Sequence, residues 1–266
     1  MKVNELIKKL KIKFPEDIQE SYDNTGTQIL FGDDIIEKIY VCLDADMETV
    51  LDAKETGCNV MITHHPLIFK PIKKIVSDES RSNILLNLIS SRISLYSMHT
   101  NFDKMMYSTL SDSLGFTGAV PLMNIQEVNG LVTGMGSFIK LNNKIALSEL
   151  LHNTKEKLNL EFITYCGDEN SLIESIAFIN GSGGNSVEKI INTYNPDCII
   201  SGDINYHNAK YAIDSGKNII DAGHFGTEII FKKNLAESLR EILDDGDENI
   251  ELIISNIEKN PFKVYK

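Results

Sequence analysis

The sequence predicts an α/β fold with two α/β subdomains, each built on a largely parallel or mixed sheet covered by helices. Short apolar runs alternate with longer amphipathic runs, which is the pattern of strand–helix–strand units. The 266 residues suffice for one large domain or two small ones. A composition of 42% hydrophobic and 24% charged residues is that of a folded globular protein.

The first predicted subdomain covers residues 1–125. Its strands are short apolar runs that end at polar residues, and its helices carry apolar residues at helical spacing. Gly57 and Gly115 follow two of these helices, where glycine commonly ends a helix. The predicted helices cover residues 4–10, 47–56, 80–93 and 105–114, and the predicted strands cover residues 38–43, 60–63 and 94–98.

The second predicted subdomain covers residues 126–266, and no segment is left over for an extra central domain. Three glycines within its first strand predict bulges or close packing. The predicted strands cover residues 129–140, 162–166, 175–180, 198–201, 218–221 and 250–254. The predicted helices cover residues 146–158, 186–194, 205–215 and 227–243.

Charge and composition exclude several classes of partner. A formal charge of −12 and a pI near 5.0 argue against electrostatic binding of nucleic acid or anionic lipid. No apolar run approaches the roughly 20 residues of a membrane span, and none follows Lys2 as in a signal peptide. The four cysteines form no Cys-x-x-Cys pair, which favours a reduced, cytoplasmic location.

Most of the six histidines stand where predicted strands end. His64 and His65 follow one strand, His99 and His224 follow two others, and His207 comes shortly after a fourth. Open α/β sheets bind ligands at the carboxyl ends of their strands. His152, on a predicted helix, is the exception.

A structural role is the simpler explanation for any one of these histidines. Adjacent side chains on an extended strand point to opposite faces, so His64 and His65 act together only if the backbone turns there. Pro66 makes such a turn plausible. Carboxylates follow the other histidines closely, at Asp103 and Glu228, and the whole set predicts a metal site.

The segment from Gly223 to Glu228 has its own physical logic. Gly223 and Gly226 allow the backbone to turn tightly out of the strand. Thr227 is a reasonable N-cap, which would place Glu228 in the first helical turn, where the helix dipole favours an ionised carboxylate. Alternatively, Glu228 only stabilises the start of a helix.

These segments resemble the Nif-three-like dinuclear metal center proteins, also called GTP cyclohydrolase I type 2 homologs. The motifs that carry the resemblance occur in order along nearly the whole chain: Asp23-Asn24-Thr25-Gly26, Leu43-Asp44, Thr63-His64-His65-Pro66, His99-Thr100-Asn101-Phe102-Asp103, Ser201-Gly202-Asp203 with His207, and Ala222-Gly223-His224-Phe225-Gly226-Thr227-Glu228. The sequence departs from the family at Tyr22, usually Trp, and at Thr27, usually apolar.

The resemblance implies a site for two metal ions between the subdomains, at the carboxyl ends of the strands. It assigns His65 and Asp103 to one ion, His64 and His224 to the other, and Glu228 to both. Three neutral imidazoles and two carboxylates carry a total charge of −2, whereas two divalent ions carry +4. The surplus positive charge should make a water shared by the two ions ionise near neutral pH. This ligand set suits Zn, Fe, Mn, Co or Ni and does not select one of them.

Three further polar residues lie near these motifs. Asp44, His99 and His207 are expected to orient ligands or to face substrate, and His207 is a candidate general acid or base. For each of them, a polar residue in a strand-end loop is an equal alternative.

A glycine loop between a predicted strand and a predicted helix is a candidate anion-binding site. Backbone N–H groups at Gly181, Gly183 and Gly184 can bind an anion such as a phosphate. The loop lacks the Gly-Lys-Ser/Thr ending of a Walker loop and the full dinucleotide fingerprint. It is equally well explained as a tight connection.

The expected function is a metal-dependent hydrolase in which bound hydroxide attacks a nucleotide-like or other phosphate-bearing small molecule. The family name implies opening of a purine ring. A phosphoesterase is the chemical alternative, and a non-catalytic metal carrier or assembly scaffold is the alternative from another class. The resemblance also implies a homohexamer.

Overall fold

The computed structural model describes residues 1–244 and 250–265. In chain order its helices are α1 (Val3–Lys13), α2 (Met47–Glu55), α3 (Ser80–Ser90), α4 (Thr100–Met105), α5 (Thr109–Ser113), α6 (Leu147–Lys157), α7 (Val187–Tyr194), α8 (Tyr206–Asp214), α9 (His224–Glu228) and α10 (Phe231–Asp244). Its strands are β1 (Gly26–Ile29), β2 (Lys38–Cys42), β3 (Val60–Thr63), β4 (Ser94–Ser97), β5 (Val120–Val128), β6 (Leu131–Ala146), β7 (Thr164–Cys166), β8 (Leu172–Ser182), β9 (Cys198–Gly202), β10 (Asn218–Asp221) and β11 (Glu251–Ile254).

The chain forms two compact units that do not follow chain order. The first unit consists of Met1–Phe102 and Phe231–Lys259. The second consists of Asp103–Ile230 and Asn260–Lys266. The larger part of the second unit, Asp103–Ile230, is therefore inserted between the two parts of the first.

The first unit is built on a five-stranded sheet in the order β1-β4-β3-β2-β11. β4, β3, β2 and β11 are parallel, and β1 pairs with β4 in the antiparallel direction. β2, β3 and β4 are almost wholly buried, as expected for central strands with helices on both faces. Side chains of Tyr40, Met61 and Leu95 lie in this core with those of α2 and α3.

The second unit is built on a six-stranded mixed sheet in the order β5-β6-β8-β9-β10-β7. β8, β9 and β10 are parallel, whereas β5, β6 and β7 pair in the antiparallel direction. One apolar cluster packs α5 and α6 on one face, and another packs α7 and α8 on the other. Both units therefore confirm the predicted fold class.

Several predicted elements have different bounds in the structure. β1 and β5 are additional strands. The predicted helix 105–114 is shortened to α5, and α4 precedes it as an additional helix. The predicted helix 227–243 is two helices, α9 and α10, separated at Ile229 and Ile230. Because α4 starts at Thr100, Asp103 lies within a helix rather than in a loop.

Two further findings concern the composition. All four cysteines are free thiols, and Cys42, Cys58 and Cys198 are buried. Within residues 1–244 and 250–265, no helix combines the length and apolar character that crossing a membrane requires.

Candidate metal centre

The backbone turns sharply at the histidine pair that follows β3. The N–H groups of His64 and His65 both donate to the carbonyl oxygen of Leu43, at 3.2 and 3.0 Å. Successive N–H groups of an extended strand point in opposite directions and cannot share one acceptor in this way. The two imidazole rings consequently lie near each other, with centroids 5.1 Å apart. The turn that the sequence made plausible is therefore present.

Both rings are held in one orientation by hydrogen bonds at Nδ1. His64 Nδ1 donates to the carbonyl oxygen of Met98 at 2.9 Å, and His65 Nδ1 donates to Asp44 Oδ1 at 2.8 Å. A carbonyl and an ionised carboxylate can only accept, so Nδ1 carries the proton in each neutral ring. Nε2 then has the lone pair that a metal ion requires, and the acceptor sets its direction.

A third histidine of the first unit is held in the same manner. His99 Nδ1 donates to Asp23 Oδ1 at 2.7 Å, and Asp23 Oδ2 accepts from the N–H group of Thr100 at 3.0 Å. Burial raises the pKa of Asp23, but the interactions with His99 and Thr100 outweigh it and lower the pKa to about 2. The potential ligand atoms of His64, His65 and His99 all lie within 4.8 Å of one another.

The second unit has a histidine and a glutamate close together on α9. His224 Nδ1 donates to Asp203 Oδ2 at 2.8 Å, and His224 Nε2 lies 2.9 Å from Glu228 Oε2. With metal–ligand bonds of about 2.0–2.1 Å, adjacent ligand atoms stand about 2.9–3.4 Å apart. The observed distance therefore suits two ligands of one ion, and also a hydrogen bond between the two side chains.

The predicted helical position of Glu228 is wrong. α9 begins at His224 with Gly223 as its N-cap, so Glu228 is the last residue of the helix rather than part of its first turn. Gly223 has φ of 78°, a conformation that favours glycine. Thr227 is not the N-cap, because its hydroxyl instead donates to carbonyl oxygens of the preceding turn. The helix dipole consequently gives no support to an ionised Glu228.

Gly181 brings the backbone of β8 directly against the α9 side chains. A Cβ at this position would lie 1.9 Å from Glu228 Oε1 and 3.1 Å from His224 Nε2. Its N–H group donates to the Thr227 hydroxyl at 2.9 Å, and its φ is 59°. Glycine is therefore required here both by the space and by the backbone conformation.

The other two loop glycines also make close backbone contacts. A Cβ on Gly183 would lie 2.1 Å from Ser201 Oγ, and a Cβ on Gly184 would lie 2.5 Å from the carbonyl oxygen of Asp203. The N–H group of Gly183 donates to the carbonyl oxygen of Gly202 at 3.2 Å. Packing within the second unit accounts for these glycines, and anion binding by the loop stays a prediction.

The remaining candidates occupy different surroundings. Asp103 is buried, with 8% of its surface exposed. His207 is exposed near the start of α8, with its ring centroid 5.4 Å from that of Tyr206. His152 lines a cleft of about 630 Å³ beside α6, together with Glu149 and Glu156.

Asp23 and Asp203 bind histidine rings but received no such role from the sequence. Asp203 follows β9, so its position at a strand end was the available signal. Asp23 lies in a segment without helix or strand. The signal there was the Asp23-Asn24-Thr25-Gly26 motif of the family resemblance, which gave Asp23 no role of its own.

Comparison with known proteins gives a match over nearly the whole chain. The family model described as Duf34/NIF3 (NGG1p interacting factor 3) matches residues 1–261. A GTP cyclohydrolase 1 type 2 homolog of Clostridium perfringens is 32% identical over 269 residues, which cover 99% of each chain.

Solved structures show the same fold. A hypothetical protein of Staphylococcus aureus is 26% identical, with a TM-score of 0.90 over 100% of this chain and 99% of that chain. A Bacillus cereus protein related to NIF3 has a TM-score of 0.91 over the same shares at 19% identity.

Proposed function

Because the chain belongs to the Duf34/NIF3 family, we propose that it is a metal-dependent hydrolase that holds two divalent transition metal ions. The proposed ligands are His64, His65, Asp103, His224 and Glu228. Zn, Fe, Mn, Co and Ni all suit this set of imidazole and carboxylate ligands. We further propose that the protein acts in the cytoplasm as a homohexamer.

The orientation of the histidine rings is the observation that supports this proposal most. His64, His65 and His224 each donate Nδ1–H to an oxygen acceptor of their own unit. Metal-binding histidines nearly always have such a partner, which fixes the tautomer and raises the basicity of the coordinating nitrogen. The side chains present therefore fit the metal ions that the family implies.

Bound ions of this kind polarise a substrate oxygen and lower the pKa of a coordinated water. Beside them, Glu228 is proposed to serve catalysis by holding these ions, and His207 to give a proton to the leaving group. His207 suits this role because it is exposed and because an imidazole can both donate and accept a proton.

The proposed substrate is a nucleotide-like or other phosphate-bearing small molecule, with its phosphate at the loop of Gly181, Gly183 and Gly184. The N–H groups of Gly181 and Gly183 already donate within the protein. A phosphate would therefore have to bind the other amides of this loop. Calorimetric titration with inorganic phosphate tests the idea, and absence of binding to the metal-loaded protein would rule it out.

Metal content provides the direct test of the proposal. Protein purified without chelator should contain up to two transition metal ions per chain by elemental analysis. His65→Ala and Asp103→Ala should each lose at least one ion. His152→Ala should keep both, because His152 lines a separate cleft beside α6. No metal after reconstitution, or equal loss in all three variants, would refute the proposed ligand set.

Catalysis is tested separately on the reconstituted protein. GTP and a panel of phosphate esters should reveal a hydrolysed substrate, and Glu228→Gln should abolish the reaction. Ring opening and phosphate release distinguish a cyclohydrolase from a phosphoesterase. Full metal content with no turnover of any compound would instead favour a metal carrier or an assembly scaffold.

A further inference from the structure

In the first unit, a buried ion pair binds the backbone segment to which the histidine pair is hydrogen-bonded. Glu258 follows β11, and Lys232 lies in the first turn of α10. Their side chains are only 5% and 10% exposed, and Lys232 Nζ donates to Glu258 Oε2 at 2.9 Å. Lys232 Nζ also donates to the carbonyl oxygen of Ser255 at 2.7 Å. A buried pair with these hydrogen bonds holds both side chains in one position.

The second carboxylate oxygen of Glu258 binds the backbone at the end of β2. Glu258 Oε1 accepts from the N–H groups of Leu43 and Asp44, at 2.7 and 3.1 Å. Hydrogen bonds from backbone N–H groups to a carboxylate are about twice as strong as neutral ones. Glu258 therefore fixes the backbone at two successive residues, immediately before the chain leaves the sheet.

These same two residues hold the histidine pair. The carbonyl oxygen of Leu43 accepts from the N–H groups of both His64 and His65. The carboxylate of Asp44 accepts from His65 Nδ1 at 2.8 Å. Any shift at Leu43 and Asp44 would thus move the histidine backbone and turn the ring of His65.

α10 reaches the pair by a second route. Phe231, the residue before Lys232, packs its ring against that of His64 with centroids 4.5 Å apart. The first two residues of α10 therefore both support the histidine pair. Phe231 packs directly against His64, and Lys232 acts through Glu258.

We propose that Glu258, with its charge balanced by Lys232, is a positioning residue for the metal-binding histidine pair. This inference rests on the proposed function, because it treats His64 and His65 as metal ligands. Partners that orient metal ligands typically change metal affinity by about 10- to 100-fold when they are removed. Glu258 acts one hydrogen bond further away, so an effect near the lower end, about tenfold, is expected.

The alternative is that the ion pair serves only the stability of the first unit. A buried ion pair can often be replaced by well-packed apolar residues without loss of folding stability. Apolar residues cannot accept the N–H groups of Leu43 and Asp44, however. Two variants that both remove the charges, but differ in this acceptor, therefore separate the two roles.

The matched variants are Glu258→Gln with Lys232→Met, and Glu258→Leu with Lys232→Met. Cobalt(II) affinity is measured by competition with a chelator, together with the visible absorption of the bound ion and the unfolding temperature. The Gln variant should bind cobalt within about threefold of wild type, with the same absorption spectrum. The Leu variant should bind about tenfold more weakly, with an altered spectrum.

Equal cobalt affinity and identical spectra in the two double variants would overturn this inference alone. Wild-type protein that binds no cobalt would overturn the proposed metal centre, and the inference with it. If the Leu variant does not fold, Glu258→Asp takes its place, because the shorter side chain keeps the charge but withdraws the acceptor. Weaker cobalt binding by Glu258→Asp supports the positioning role, and unchanged binding refutes it.

Discussion

Three aspartates each accept a hydrogen bond from a histidine ring. Asp44 binds His65, Asp23 binds His99, and Asp203 binds His224. In every case Nδ1 is the bonded nitrogen, so Nε2 is directed by a carboxylate on another segment of the chain. The histidines themselves could be predicted because they stand at strand ends. Their partners could be predicted only in part: Asp44 was expected to orient a ligand, whereas no local pattern joins Asp23 to His99, which lies 76 residues away.

The low pKa of Asp23 predicts a pH-dependent stability. The pKa is about 2 in the folded chain, below the ordinary value of 3.8, so the folded state binds this proton less readily than the unfolded state. The contribution of the ionised carboxylate is complete above about pH 4 and is lost as the pH falls towards 2. Asp23→Asn should therefore unfold at lower urea than wild type at pH 6, in metal-free protein, and the difference should shrink between pH 4 and 2.

A solvent-exposed aspartate serves as the control for this measurement. Asp33 has a side chain that is 92% exposed. The Asp33→Asn variant should unfold at the same urea concentration as wild type at each pH. A difference between Asp23→Asn and wild type that does not depend on pH would contradict the assigned pKa.

At the scale of elements, the close approach of β8 to α9 shapes the surroundings of His224 and Glu228, the proposed metal ligands of the second unit. The sequence predicted a glycine loop after a strand that ends at residue 180, and explained it by either a bound phosphate or a tight connection. In the structure, Gly181 lies within β8. Contact between Gly181 and the side chain of Glu228 provides a third reason. No local pattern could have shown it, because these residues are brought together by the packing of a strand against a separate helix.

Gly181→Ala should displace Glu228 and weaken metal binding by about tenfold or more, the range seen when the support of a metal ligand is removed. The added Cβ would lie 1.9 Å from Glu228 Oε1, which the side chain can avoid only by moving. Gly216→Ala is the matched control, since Gly216 has φ of 68° with no atom within 4 Å of an added Cβ. Both variants should lose about 1–2 kcal/mol of stability from backbone strain. Chelator competition should show weaker binding for Gly181→Ala alone, and equal binding by both would contradict this account.

At the scale of the whole molecule, the first unit includes a segment from near the end of the chain, Phe231–Lys259. β11 pairs in parallel with β2, and α10 precedes it. The strand and helix were recognisable from their apolar periodicity. Their membership in the first unit was not, because periodicity carries no information about which sheet a strand joins.

The proposed hexamer is tested by mass. Six chains of 29.8 kDa give about 179 kDa, which sedimentation or native mass spectrometry resolves from smaller assemblies. The metal-loaded protein should show this mass across micromolar concentrations. A stable monomer or dimer under these conditions would contradict the hexamer.

The pairing of β11 with β2 also determines when the sheet of the first unit can be completed during synthesis on the ribosome. Glu251 is translated 209 residues after Cys42, so one edge of β2 stays unpaired for roughly 10–40 s at about 5–20 residues per second. An unpaired edge of a buried strand readily pairs with other chains. Ribosome-bound chains stalled before residue 251 should therefore be protease-sensitive around β2 and recruit chaperones. Stalled chains with an added C-terminal linker, long enough to bring residue 259 out of the exit tunnel, should be protected. Equal protection at both lengths would show that the nascent sheet closes without its last strand.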